Sequence, residues 1–282
     1  SNAKLLSGEL STYLGGRYVE IRIYPFSYKE MLDILEQESS PELFLQYLTY
    51  GGMPFIYQNH IDSEMALLYL EDVFDSIILK DITQRNQVRD VGIFKTILLY
   101  LVAGVGTTFS ASSIQKYLKS EKRGISTETL YNYLEYCKDA CILQMVPRSD
   151  IIGKKLLQFQ EKLYLTDHGF REAVYGNNQR DIQQILENIV YMELVRRGYT
   201  VSIGKNNQVE VDFVAERGNG RFYVQVAYLL ADDNTVKREF GALESIPDNF
   251  PKYVVTMDEI NRSQNGIKHV NIRKFLLMVD YE

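Results

Sequence analysis

Val209-Glu210-Val211-Asp212-Phe213-Val214, a short glycine turn, and Phe222-Tyr223-Val224-Gln225-Val226-Ala227-Tyr228 read as two paired strands. Apolar residues alternate with acidic and amide ones along both, the period of a strand with two different faces. By that alternation Asp212 and Gln225 project from one sheet face, and Glu210 shares the parity of Asp212. An acid on the first strand, Glu or Gln on the second and Lys two positions on outline a nuclease-type metal site. There, carboxylates hold a hard cation and an ammonium helps activate water. The lysine position here is Ala227. The pattern therefore points to an α/β fold and, at the same time, away from cleavage.

Outward from the strand pair, residues 178 to 282 predict a long helix ending at Arg196-Arg197-Gly198 and strands near 199–204, 209–215 and 221–228. A helix at 235–246, a strand at 252–257 and a closing strand and helix from His269 to Val279 follow. Upstream, Ser110 precedes a helix over 111–119, and a charged turn at 121–124 leads to a helix from Ser126 to about Ala140. Two strand-like runs, Cys141–Val146 and Lys162–Thr166, are joined by a polar arm holding Gly153-Lys154-Lys155. With a further helix at 91–104, the order is that of a winged helix-turn-helix. Earlier still, leucines at 5, 6, 10 and 14 mark a helix, and Tyr18–Tyr24 alternates as a strand. Ser27 with Glu30 forms a capping box, a short helix follows Ser40-Pro41 and stops at Gly51-Gly52-Met53-Pro54, and a helical spacing runs over 63–86.

The chain has 282 residues, enough for two or three small domains. Its formal net charge of −6 argues against a surface built for non-specific phosphate binding, while leaving room for a local basic patch. The cysteines, Cys137 and Cys141, lack companions at metal-ligand spacing and read as core thiols. With no disulfide framework, no signal-peptide pattern and no run of ~20 apolar residues, the expected setting is cytoplasmic, away from membranes. Ser1-Asn2-Ala3 has the form left by tag removal, and the first residue is not Met, so the chain reads as the C-terminal piece of a longer protein.

Several stretches carry a resemblance that covers nearly the whole chain. They are Leu5-Leu6-Ser7 through Gly16-Arg17-Tyr18, Tyr24-Pro25-Phe26-Ser27 with Glu30, and Tyr50-Gly51-Gly52-Met53-Pro54. Tyr164-Leu165-Thr166-Asp167-His168-Gly169, Leu186-Glu187-Asn188, Arg197-Gly198-Tyr199, Glu210-Val211-Asp212-Phe213 and Gln225-Val226-Ala227-Tyr228 continue the series. In this order they resemble the C-terminal two-thirds of a prokaryotic AAA+-type ATPase family with a winged helix and a C-terminal restriction-endonuclease-like domain. The resemblance implies an α+β multidomain chain: ATPase-core remnant and helical lid over 1–88, winged helix-turn-helix over 89–175, endonuclease-like α/β domain over 176–282.

It also implies roles. Asn2 falls where the family carries a polar sensor residue, and Arg17 where an arginine approaches the nucleotide γ-phosphate, a task suited to a bidentate guanidinium. Gly51-Gly52-Met53-Pro54 resembles a turn in the lid, although paired glycines before proline break a helix whatever the function. ATP and Mg²⁺ are expected for the full-length protein. This chain holds neither Gly-x-x-x-x-Gly-Lys-Ser/Thr nor an acidic Walker B strand, and no hydrolysis of ATP is expected from it.

In the endonuclease-like domain the acids carry over to Glu187, Asp212 and Gln225, with weak divalent-metal binding at Glu187 and Asp212. Glu193, six residues on, faces elsewhere on the helix. Lys205 or Lys237 would have to supply the missing ammonium. In the winged helix, DNA contacts fall on Lys116, Lys119, Lys122 and Arg123, on Thr127, Thr129, Asn132 and Tyr133, and on Arg148, Lys154 and Lys155. Glu128, Glu135 and Asp139 oppose them. Three functions follow from these residues: a nucleic-acid- or protein-binding module with an inactive nuclease-like domain, a metal-dependent DNA endonuclease, or a protein-interaction module.

Overall fold

A computed structural model describes residues 21–281 other than 152, 154, 177, 207 and 208, with the backbone alone for 155–160. The helix expected over 4–14, Asn2 and Arg17 lie outside the described residues. Of the strand expected over 18–24, residues 21–24 are described and form no strand, with Ile21 and Ile23 exposed. Alternation gives a strand only where a neighbouring strand pairs with it, and no described strand pairs with residues 21–24.

The N-terminal part is helical, and its helices begin where polar caps satisfy the first N–H groups. In α1 (Tyr28–Leu35), Ser27 and Glu30 close the expected capping box. Ser40 caps α2 (Pro41–Tyr50), which leads through α3 (Pro54–Gln58) to α4 (Ser63–Ser76), capped by Asp62. The helix expected over 63–86 changes at Ile77, where a π-helical stretch, Ile77–Gln84, takes over. Asp90, Ser110 and Ser126 then cap α5 (Val91–Ala103), α6 (Ala111–Ser120) and α7 (Thr127–Asp139).

A hairpin of β1 (Leu143–Asp150) and β2 (Lys155–Leu165) follows, longer than the two short runs predicted. Next come α8 (Gly169–Tyr175), α9 (Ile182–Arg196), β3 (Thr200–Asn206), β4 (Val209–Arg217) and β5 (Gly220–Val226). Helix α10 (Asp233–Glu244), β6 (Lys252–Thr256), β7 (Lys268–Asn271) and α11 (Ile272–Leu277) complete an α+β fold.

The seven strands among the described residues form one mixed sheet, ordered β2-β1-β3-β4-β5-β6-β7. The hairpin joins it through a short parallel pairing of β1 with β3, at Arg148, Ser149 and Asp150. The register of the hairpin shifts between Val146 and Arg148, and the part of β2 beyond the shift meets α9 through Lys162, Tyr164 and Leu165. A second shift, between Ser202 and Gly204 of β3, opposes Val214 and Val211 of β4 and inserts an extra residue into β4. That bulge puts Phe213 and Ala215 in the large core on the α9 side. Val211 and Val214 fall in the smaller core under α10.

Candidate functional site

Four elements converge on the ammonium of Lys162. From β2 it lies 3.2 Å from Glu187 of α9, 2.9 Å from Glu210 and 3.7 Å from Asp212 of β4. Arg148 of β1 closes the group by pairing with Glu210 and donating to Thr108 Oγ1 at 2.8 Å. Lys162, Glu187 and Asp212 are buried, and Glu210 alone reaches solvent to any extent. In the sheet order β2 and β4 are separated by two strands. The contact therefore depends on the hairpin folding across the α9 face.

The chemistry of each group follows from burial and neighbours. Burial pulls the Lys162 pKa down, but Asp212, Glu187 and Glu210 more than offset it and hold the ammonium charged. Burial and then the Glu187 charge push Asp212 well above the usual carboxylate range, despite Lys162 and the Val226 N–H, which donates to Asp212 Oδ2 at 2.9 Å. Glu187 is raised by burial, against Lys162. Burial also works against ionised Glu210, yet Lys162 and Arg148 outweigh it and lower its pKa. Tyr164 adds a hydroxyl donor to Glu187 at 3.2 Å. Three carboxylates face two cations, and burial favours uptake of a proton by the Glu187–Asp212 pair.

Glu187 and Asp212 thus come together as expected, but Gln225 does not join them. Its neighbours Val224 and Val226 belong to the α9-side core and Tyr223 to the other, so alternation turns Gln225 towards α10. It meets Asp212 through the backbone, Oε1 accepting from Asp212 N at 3.2 Å. The shared face expected for the two fails because the β4 bulge breaks strict alternation. Glu193 points elsewhere, as its spacing predicted, and pairs with Arg196 and Arg197. Lys237 is exposed and Lys205 half-buried. The cation among the carboxylates is Lys162, which the sequence pattern places at the start of a strand-like run and marks with no role. Its signal was a lysine opening an otherwise apolar strand end, Lys162-Leu163-Tyr164-Leu165.

The cluster does not fit a divalent ion as it stands, because the Lys162 ammonium takes the space among the carboxylates that such an ion would need. No group of three or more His, Cys, Asp or Glu side chains among the described residues is arranged to hold one.

A second buried junction uses residues of the quoted motifs. Asp167 accepts from Gly52 N at 2.9 Å and from Gly169 N at 2.8 Å, and His168 Nε2 donates to the Tyr47 carbonyl at 2.8 Å. Gly51 has φ of +71°, and a Cβ there would overlap Asp167 Oδ1. Only glycine admits so close an approach in that conformation. The glycine pair after α2 is thus locked to the segment after β2. Burial pushes the Asp167 carboxyl up to about 6 and the His168 imidazole down to about 4.

Lys116, Lys119, Lys122 and Arg123, with Thr127 and Asn132, lie exposed on α6, α7 and the turn between them. Thr129 is half-buried and Tyr133 buried. Arg148 is the correction: it is buried and paired with Glu210, because the hairpin lies against the sheet and its cation is consumed there. Lys154 and the side chain of Lys155 lie outside the described residues. Glu128 and Glu135 are exposed beside the cations, and Glu135 pairs with Lys138. No helix among the described residues is long and apolar enough to cross a membrane.

Residues 41–181, half of the chain, match the model of a domain of unknown function, DUF8612. An uncharacterized protein of Haemophilus influenzae is 36% identical over 282 residues, covering 98% of this chain and 69% of that protein. An uncharacterized protein of Methanocaldococcus jannaschii is 27% identical over 288 residues, covering 96% of this chain and 64% of that protein. Arg148, Lys162 and Asp167 fall inside the matched domain, while Glu187, Glu210 and Asp212 lie beyond it. By the extent of the domain match and the identity to the Haemophilus protein, the chain belongs to the DUF8612 family.

Proposed function

We propose that this chain is the C-terminal, non-hydrolytic part of an AAA+-type ATPase that passes nucleotide-driven motion to DNA. In this reading the helices up to residue 88 are the lid, α5–α7 with the hairpin are a winged helix-turn-helix, and the remainder is a nuclease-like domain that does not cut. The observation that carries the non-cutting part is the Lys162 cluster. Glu187 and Asp212 are buried and face the Lys162 ammonium, which leaves no free carboxylate pair to hold a metal and a water. The lock of Gly51-Gly52 on Asp167 supports coupling, since movement of the lid must drag the segment that carries β2.

DNA is favoured as partner because four exposed cations, Lys116, Lys119, Lys122 and Arg123, lie on α6 and the turn leading into α7, the helix that enters the major groove in such units. Fluorescence anisotropy with duplex DNA tests this. Binding should weaken steeply with salt and be lost when Lys116, Lys119 and Arg123 are all changed to Glu. No binding at low salt would move the partner to protein. Mn²⁺-dependent plasmid cleavage that disappears in Asp212→Ala would make the domain a nuclease.

A further inference from the structure

We propose that Lys162 is an internal counter-cation. Its ammonium fills the position among Glu187, Glu210 and Asp212 that a divalent metal takes in a hydrolytic site, and with Arg148 it makes the cluster a metal-free latch between the hairpin and the sheet. The latch shares with the functional proposal only the statement that the site does not cut.

The geometry carries this in three steps. First, Nζ touches carboxylates from two elements that are not neighbours of β2 in the sheet, α9 and β4, at 2.9 to 3.7 Å. One group therefore fixes the relative placement of hairpin, helix and strand, which is what a structural cation does. Second, Lys162, Glu187 and Asp212 are 7%, 6% and 6% exposed. Buried carboxylates at this spacing must take up a proton or face a cation, and the chain places a cation among them. Third, the position two residues beyond Gln225 is Ala227, 1% exposed, with its N–H donated to Val255 O. The ammonium has no place on β5 and comes instead from β2, where it reaches the acids from the hairpin side.

The latch predicts that removing Lys162 leaves an anionic cavity that a hard cation relieves. The test compares the full chain with Lys162→Ala, by thermal melting in EDTA and in millimolar Mn²⁺, and by the loss of the free Mn²⁺ electron paramagnetic resonance signal. The native chain should melt at the same temperature in both and bind no stoichiometric Mn²⁺. Lys162→Ala should melt on the order of 10 °C lower in EDTA, recover in Mn²⁺, and bind about one ion. Adding Asp212→Asn to it should weaken that binding at least tenfold.

Stoichiometric Mn²⁺ on the native chain, lost in Asp212→Asn, would overturn the proposal, as would a folded Lys162→Ala that binds none. If Lys162→Ala fails to fold, Lys162→Met combined with Glu187→Gln decides. Melting closer to the native chain than Lys162→Met alone supports the latch, and an additive loss overturns it. Cleavage would refute the functional reading separately, since none of these outcomes is read by activity.

Discussion

Asp167 and His168 are adjacent, buried and oppositely perturbed, which gives a pH signature neither has alone. The Asp167 carboxyl titrates at about 6 in the folded chain against an ordinary 3.8, so the folded state holds a proton that the unfolded chain has released. Its contribution to stability therefore falls as pH rises from about 4 to about 6. His168 titrates at about 4 against 6.5, so the unfolded chain takes a proton that the folded state refuses. Its contribution falls as pH drops through the same window. Each shift is about two units or a little more, on the order of 3 kcal/mol, and the two nearly cancel. Asp167→Asn should leave a protein that weakens relative to the native chain as pH falls from 6.5 to 4.5. His168→Gln, whose amide can still donate to the Tyr47 carbonyl, should weaken as pH rises over the same range. Urea midpoints at the two pH values measure this, and other titrating groups such as Glu187 and Asp212 drop out of the differences. Parallel profiles for the two variants would show that their burial does not act in this way. Both residues stand in the quoted Thr166-Asp167-His168-Gly169 motif, but their partners, Gly52 for Asp167 and Tyr47 for His168, are 115 and 121 residues away. Spacing along the chain gives no access to such a contact.

At the scale of elements, what was legible is what local chemistry decides. Ser27, Ser40, Ser110 and Ser126 start helices where a hydroxyl can take an N–H, and the predicted bounds of α5, α6 and α7 fall within a residue or so of those observed. What was not legible depends on a neighbour. The segment over 18–24 has strand alternation but no strand in its described part. The hairpin is longer than its apolar content indicates, because backbone pairing carries it through polar residues such as Ser149 and Asp150. The β4 bulge, invisible in sequence, separates Gln225 from the Asp212 carboxylate. Asn188 shows the same dependence. Strand β2 lies at the edge of the sheet, with Leu165 N and O facing outward. Asn188 of α9 accepts from Leu165 N at 2.7 Å and donates to its carbonyl at 2.9 Å, acting in place of a missing strand. Asn188→Ala should cost about 2–4 kcal/mol in urea unfolding, because a buried N–H and C=O lose their partners together. Hydrogen exchange at the Leu165 amide should accelerate at the same time. A loss below about 0.5 kcal/mol would mean that water replaces the amide and that α9 does not hold the edge.

At the scale of the molecule, one core runs from Tyr28 to Tyr281, and α9 ties its ends together. Arg196 Nη2 donates to Pro25 O at 3.0 Å, while Arg197 donates to Leu276 O at 2.9 Å and Met278 O at 2.6 Å and lies over the Tyr281 ring. The C-terminal residues also complete an aromatic group, with Tyr281 stacked on Phe275 at 4.5 Å and packed against Phe222 and Tyr199. The helical N-terminal region is therefore built onto the same support as the sheet, through α9 and the Asp167 lock. Deleting residues 272–282 removes Ile272, Phe275, Leu276 and Tyr281 from this core. At about 1.5–3 kcal/mol for each buried side chain, the loss is comparable to the whole net stability of a domain. The truncated chain should fail to fold as a whole, with the N-terminal helices losing protection along with the sheet. In the intact chain, far-UV circular dichroism, near-UV tyrosine signals and calorimetry should report one coincident transition. Two resolved transitions, or a truncated chain that keeps the native melting temperature, would show that the N-terminal helices, the helix-hairpin unit and the sheet stand independently. In that case movement of the first could not be passed to the last through this core.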